Sequence, residues 1–126
     1  MALAQAPAIA FVPTTRPDAA RAFYRDVLGL RLTDVDEYAA VFDLNGTMLR
    51  LVTVNELQPA GYTLLGWIVD DIVAEIDALV RKGVAFERYG WFEQDEHGVW
   101  TAPGGAGIAW FKDPDGNTLS LTQFPG

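Results

Sequence analysis

The sequence predicts an α+β fold made of two successive βαβββ modules, at about residues 6–55 and 62–125 of a single 126-residue domain. Two hairpin signatures close the two halves, Asn45-Gly46 and Asp113-Pro114-Asp115-Gly116-Asn117, and each lies between apolar-alternating runs. Each half also begins with an apolar run followed by one helical pattern. The same order of elements occurs twice, which indicates a duplicated unit.

The first half contains one helix and four strands. A helix is predicted from Pro17 to Leu28, because proline suits the first helical position and Gly29 supplies a C-terminal stop. The strands are predicted at Ala8–Val12, Leu30–Val35, Tyr38–Leu44 and Thr47–Val54.

The second half repeats this order after a short linker, Asn55–Gly61. A strand is predicted at Thr63–Val69, and Asp70-Asp71 should cap a helix that ends at Lys82-Gly83. A further strand is predicted at Val84–Arg88. Residues 89–106 show no clear periodicity. Because the linker is short, the halves are expected to pack together.

Composition excludes several classes of function. Half of the residues are hydrophobic and 21% are charged, so a packed core is expected. The absence of cysteine removes disulfides and thiolate sites. A net charge of −8 argues against nucleic acid, and an acidic field would favour a cationic ligand or simply solubility. With no membrane-length apolar run and no basic leader, we expect a cytoplasmic protein without a membrane partner.

Three motifs resemble the vicinal oxygen chelate superfamily, which includes glyoxalase I, extradiol dioxygenases, fosfomycin-resistance enzymes and bleomycin-resistance proteins. They are Phe23–Leu30 (FYRDVLGL), Val69–Ile72 (VDDI) and Asp113–Asn117 (DPDGN), and they occur in the family's order. The resemblance implies paired βαβββ modules whose curved sheets form a cleft, often in a homodimer. Function depends on the site that such a fold carries.

The resemblance also implies four metal-ligand positions, which enzymes of the superfamily usually fill with His, Gln or Glu. Matched from the motifs, these positions are Ile9, Arg50, Leu64 and Ser120. Ile and Leu have no donor atom, Arg repels a cation, and a neutral Ser replaces a carboxylate poorly. We therefore predict no metal and no cofactor, and an enzyme is not the favoured class.

An apolar, aromatic cleft is the predicted binding site. Strand alternation puts Arg50 and Ser120 on the cleft side, where they could orient a ligand. The alternative for Arg50 is a salt bridge to Asp43 or another acid, and the aromatic residues could instead form core or dimer contacts. The candidate ligand-binding residues are Phe11, Phe42, Arg50, Leu64, Trp91, Trp100 and Ser120.

The only histidine is a weaker candidate. His97 could bind a metal with Glu93 and Asp95, or act as a general base, but a solvated acidic loop explains the same residues. Ser120 as a nucleophile would need an adjacent base, and the sequence places none beside it.

The favoured function is a metal-free small-molecule binding protein that resembles bleomycin- and antibiotic-resistance proteins and sequesters an aromatic or cationic ligand. One alternative is a glyoxalase-like lyase, isomerase or dioxygenase with an unconventional metal site. Another is an interaction module whose cleft is filled by its own side chains, including Trp100 or Tyr62.

Overall fold

The computed structural model describes residues 2–126. The chain divides into two compact units, Met1–Gln58 and Pro59–Gly126, and the division falls inside the segment predicted as a linker. Each unit has one four-stranded mixed sheet and one principal helix, which confirms the predicted α+β class. Within residues 2–126, no helix is long and apolar enough to cross a membrane.

The first unit follows the predicted β-α-β-β-β order. Its sheet has the strand order β1-β4-β3-β2, in which β1 runs parallel to β4 and the other pairs are antiparallel. The elements, after a 3₁₀ turn at Leu3–Gln5, are β1 (Ile9–Thr14), α1 (Pro17–Ala22), β2 (Arg31–Val35), β3 (Ala39–Leu44) and β4 (Thr47–Thr53).

Helix α1 is followed by a helical turn of wider radius. It continues directly into a π-helical turn at Phe23–Val27, where the Leu28 N–H donates a 3.0 Å hydrogen bond to the Phe23 carbonyl. Gly29 follows with a φ of +72°, a conformation in which glycine is not strained. The helix predicted to end at Gly29 is present, although only its first half is α-helical.

The second unit has the same strand order, β5-β8-β7-β6, again with its first and last strands parallel. The helix begins as predicted, because the Asp71 carboxylate accepts a 3.1 Å hydrogen bond from the Ala74 N–H. The elements are β5 (Thr63–Ile68), α2 (Ile72–Arg81), β6 (Trp100–Thr101), β7 (Gly107–Lys112) and β8 (Thr118–Gln123).

The strand predicted at Val84–Arg88 is wrong. Only Phe86 makes a β-bridge, to Phe111 of β7, and the neighbouring Glu87 N–H donates to the Trp110 carbonyl. The same edge of β7 is continued by β6. Phe86 and β6 therefore pair with different parts of the same edge of β7. Residues 87–99, here called the aromatic loop, connect them outside the sheet.

The predicted DPDGN hairpin turn is confirmed between β7 and β8. One oxygen of the Asp113 carboxylate accepts 3.0 Å hydrogen bonds from the Asp115 and Asn117 N–H groups. The other oxygen accepts a 2.9 Å bond from the Asn117 side-chain amide. One buried carboxylate thus fixes the turn.

The two faces of the first sheet differ in exposure. Phe42, Leu49 and Leu51 are buried on one face, whereas Ile9 and Phe11 on the opposite face are 49% and 58% exposed. The core of the first unit therefore lies on the Phe42 face, together with Tyr24 and Ala20 of the helical segment.

The second sheet has the same division. Phe111, Leu119 and Leu121 are buried on one face, as are Ile72 and Ile76 of α2. The strand register places the opposite side chains of β7 and β8 on the other face. That other face carries the candidate site.

Candidate functional site

A cavity of about 550 Å³ opens on the face of the second sheet that carries Trp110. This volume lies within the range of small-molecule sites in proteins. Five residues come from the strands, three come from the aromatic loop, and two precede β5. The lining residues are Gly61, Tyr62, Thr63, Tyr89, Trp91, Phe92, Trp100, Trp110, Lys112 and Thr118.

Aromatic side chains form most of the cavity wall. The rings of Trp100 and Trp110 have centroids 6.2 Å apart and are tilted by 32°. Phe92 from the aromatic loop stands perpendicular to both, at 5.6 and 5.7 Å. The ring centroids of Trp91 and Phe92 are 4.4 Å apart, and Trp91 is 83% exposed. A ligand could therefore cover a large aromatic area that water now covers.

Gln94 holds the aromatic loop in place. Its side-chain oxygen accepts a 2.7 Å hydrogen bond from the Tyr89 N–H. Its amide nitrogen donates to the carbonyls of Glu87 and Gly98, at 3.0 and 2.8 Å. One side chain thereby links the two ends of the loop and its middle.

Arg88 and Asp95 form a second set of hydrogen bonds that hold the aromatic loop. The Arg88 guanidinium donates 2.6 Å hydrogen bonds to the carbonyls of Asp95 and Glu96. The Asp95 carboxylate accepts 2.9 Å bonds from the N–H groups of His97 and Val99. Because so many backbone groups are bonded, the aromatic wall is pre-formed.

The polar groups of the cavity lie on the sheet. The Trp110 indole N–H donates a 3.0 Å hydrogen bond to the Thr63 hydroxyl. Lys112 is the one lining residue with a charged side chain. Burial, and to a smaller extent the field of Glu87, raises the pKa of the Tyr89 hydroxyl above its ordinary value. That phenol is therefore neutral at physiological pH.

The sequence profile of the Glyoxalase/Bleomycin resistance protein/Dioxygenase superfamily matches residues 7–121. The chain belongs to this superfamily. The predicted resemblance is thus confirmed, and the paired βαβββ order of its elements is that of the glyoxalase-like fold.

Solved structures with the glyoxalase-like fold resemble the chain along nearly its whole length. A glyoxalase family protein from Bacillus anthracis is 18% identical, with a TM-score of 0.75 and 96% of each chain covered. Lactoylglutathione lyase from Agrobacterium tumefaciens is 23% identical, with a TM-score of 0.69 and coverage of 94% of this chain and 93% of that one. TioX from Micromonospora sp. ML1 is 17% identical, with a TM-score of 0.72 and coverage of 95% and 99%. No protein of curated function matches significantly.

The metal-ligand set usual for glyoxalase-like enzymes does not fit this chain. The four positions predicted for it from the motif resemblance, Ile9, Arg50, Leu64 and Ser120, offer one hydroxyl and no imidazole or carboxylate. Within residues 2–126, no three or more His, Asp or Glu side chains are grouped so that they could hold a metal ion, and this includes the set Glu93, Asp95 and His97.

Trp91 and Trp100 are the predicted site residues that line the cavity. Ser120 is buried on the same sheet face and lies in register with Trp110 and Gly66, but it is not a lining residue. A Cβ atom at Gly66 would overlap the Ser120 hydroxyl, so these two positions are sterically coupled. Leu64 lies at a register irregularity between Thr63 and Leu65, without a registered partner on β8.

Phe42 requires a correction. It is fully buried, lies in register with Leu49, and packs on Tyr24 with ring centroids 6.1 Å apart. Phe42 therefore belongs to the core of the first unit and cannot contact a ligand on the opposite face.

Phe11 and Arg50 lie side by side on that opposite face, as registered partners on β1 and β4. Phe11 is exposed and Arg50 is half-buried. Within the described part of the first unit, residues 2–58, no carboxylate forms an ion pair with Arg50, so the alternative of a salt bridge to Asp43 is not observed.

His97 is not a lining residue of the cavity. Its Nδ1 is 3.9 Å from an Asp77 carboxylate oxygen and its Nε2 is 3.6 Å from one of Glu96. Both distances are longer than the donor–acceptor distance of a hydrogen bond. These contacts lie at the protein surface.

Sequence reasoning missed Tyr89, Phe92, Trp110 and Lys112 as lining residues. Counting across the Asp113–Asn117 hairpin would have found Trp110, because it lies opposite Ser120. No periodicity marks Tyr89 or Phe92.

Proposed function

We propose that this glyoxalase-like protein binds a planar aromatic small molecule and sequesters it, as a resistance protein would. One observation carries the proposal: a cavity of about 550 Å³ whose walls contain six aromatic side chains, three of them on a hydrogen-bonded loop. Aromatic faces favour offset or edge contacts with another ring, and each such pair contributes about 0.5–1.5 kcal/mol beyond area burial.

Binding of this kind needs no reacting group. The lining contains no histidine and no carboxylate, the groups that most often transfer protons in enzymes. The single lysine does not favour a cationic ligand, although the acidic net charge had suggested one. Of the aromatic or cationic ligand expected from the sequence, we therefore retain the aromatic ligand and not the cationic one.

Calorimetric titration tests the proposal. The panel should contain planar bicyclic and tricyclic antibiotics together with 2-naphthamide as a simple neutral probe. Trp91→Ala should weaken binding by about tenfold, since it removes an aromatic contact worth about 1–1.5 kcal/mol. Because Trp91 is 83% exposed, the variant should keep its thermal stability.

Phe124→Ala is the matched control. Phe124 is 56% exposed and is not a lining residue, so its removal should leave affinity unchanged. Failure of the whole panel to bind, or equal weakening by both variants, would reject an aromatic ligand site here.

A homodimer and a cytoplasmic location complete the proposal. Both follow from the sequence and the family resemblance. Light scattering after size-exclusion chromatography should give about twice the 13.8 kDa chain mass; a single-chain mass would reject the dimer.

A further inference from the structure

A polar row crosses one end of the cavity. Thr63 on β5 is in register with Thr118 on β8, and Thr118 is in register with Lys112 on β7. All three residues line the cavity. Two hydroxyls and one ammonium group therefore follow each other across three adjacent strands.

The neighbouring position along β7 is aromatic. Trp110 precedes Lys112 by two residues and so lies on the same sheet face. Its indole N–H is already bonded to the Thr63 hydroxyl oxygen. That bond fixes the indole, and the second unit contains no described acceptor for the hydroxyl hydrogen of Thr63, which can be donated to a ligand.

The charge at this end of the cavity is positive. Lys112 is the charged side chain of the lining, whereas Glu87, which acts on Tyr89, lies outside it. The net charge of −8 acts on a ligand at a distance, but salt screens such fields beyond about 8–10 Å. Direct contacts inside the cavity then decide which charge is preferred.

We propose, on the basis of the aromatic site above, that its ligand is a planar aromatic anion. The ring system contacts Trp110 and Trp91, and a carboxylate or a similar oxyanion meets Lys112 and Thr118. A flat aromatic acid matches this sheet face, on which the aromatic Trp110 lies next to the polar row that contains Lys112. Lysine is suited to this role because its ammonium is a compact point charge with three donors.

Three probes with one ring system test this inference: 2-naphthoate, 2-naphthamide and 2-naphthylmethylammonium. Calorimetry at neutral pH should give the tightest binding for 2-naphthoate, about tenfold tighter than for 2-naphthamide, as expected for one charge-assisted contact. The ammonium probe should bind most weakly. Raising the salt concentration should weaken 2-naphthoate selectively.

Lys112→Met should abolish the preference for 2-naphthoate and change the affinity for 2-naphthamide by less than about twofold. Lys82→Met removes the only other lysine, which follows α2 and is not a lining residue, and should preserve the preference. Circular dichroism should show both variants folded.

The outcomes separate the two proposals. Equal affinity of the wild-type protein for the acid and the amide, or equal weakening of both by Lys112→Met, would overturn the anionic ligand while leaving the aromatic site standing. Absence of binding by all three probes would overturn both.

Discussion

The side-chain oxygen of Gln94 accepts a 2.7 Å hydrogen bond from the backbone N–H of Tyr89, five residues earlier. This bond and the two that the Gln94 amide donates fold the aromatic loop against the second sheet. The position of the aromatic wall thus depends on this uncharged polar side chain together with Arg88 and Asp95.

Gln94→Glu should destabilise the protein by about 2–4 kcal/mol, because it removes two donors and turns a carboxylate toward two carbonyl oxygens. Urea unfolding followed by tryptophan fluorescence measures this loss. Glu93→Gln, the reverse change at the exposed neighbouring residue, should shift the free energy of unfolding by less than about 0.5 kcal/mol. Similar effects of the two changes would contradict the role of Gln94.

Gly66 and Ser120 should be energetically coupled. Gly66→Ala should cost about 1–3 kcal/mol of stability, because the new methyl group overlaps the Ser120 hydroxyl. Ser120→Ala removes that hydroxyl and should recover most of the loss in the double variant. A double-mutant cycle from urea unfolding gives the coupling energy, and strictly additive effects would show that the contact does not limit residue 66.

Asp71 should be the more important of two adjacent aspartates. Asp71→Ala should destabilise the protein by about 1 kcal/mol, because its carboxylate caps α2 at the Ala74 N–H. Asp70→Ala is the control, since the structure assigns the cap to residue 71. Thermal unfolding of both variants distinguishes them, and a larger effect at Asp70 would contradict the cap assignment.

Stability should fall at alkaline pH partly because of Tyr89. Its pKa is raised in the folded protein, so above about pH 10 the unfolded chain loses this proton first and gains stability relative to the folded state. Tyr89→Phe should reduce the slope of unfolding free energy against pH in that range. Absorbance titrations of the wild-type protein and of Tyr89→Phe should differ by one tyrosine that ionises above its ordinary pKa, and the lack of such a difference would contradict the assignment.

Much of the fold could be predicted because its signals are local. Asn45-Gly46, the Asp71 cap and the Asp113 turn each act within a few residues, and alternation gave the strands around them. The error at Phe42 was avoidable. A two-residue turn at 45–46 places Phe42 opposite Leu49, and Leu49 alternates with Arg50, so Phe42 and Leu49 both lie on the face opposite Arg50.

The aromatic loop could not be predicted in the same way. Its conformation depends on bonds from Gln94, Arg88 and Asp95 side chains to backbone groups, and such bonds leave no period in the sequence. A strand was predicted at Val84–Arg88, but only Phe86 pairs with β7. Trp91 and Trp100 could be named from composition, whereas their partners Phe92 and Trp110 required the loop path and the register.

The split edge of β7 has a consequence for how this protein could change. The aromatic loop starts after the Phe86 bridge and ends at β6, so both of its ends are anchored to the same strand. Substitutions at exposed loop positions such as Trp91, away from the Gln94 hydrogen bonds and from buried Val99, alter the cavity wall without breaking a core contact of the sheet. Variants of this fold can therefore acquire new ligand preferences through those positions at little cost in stability.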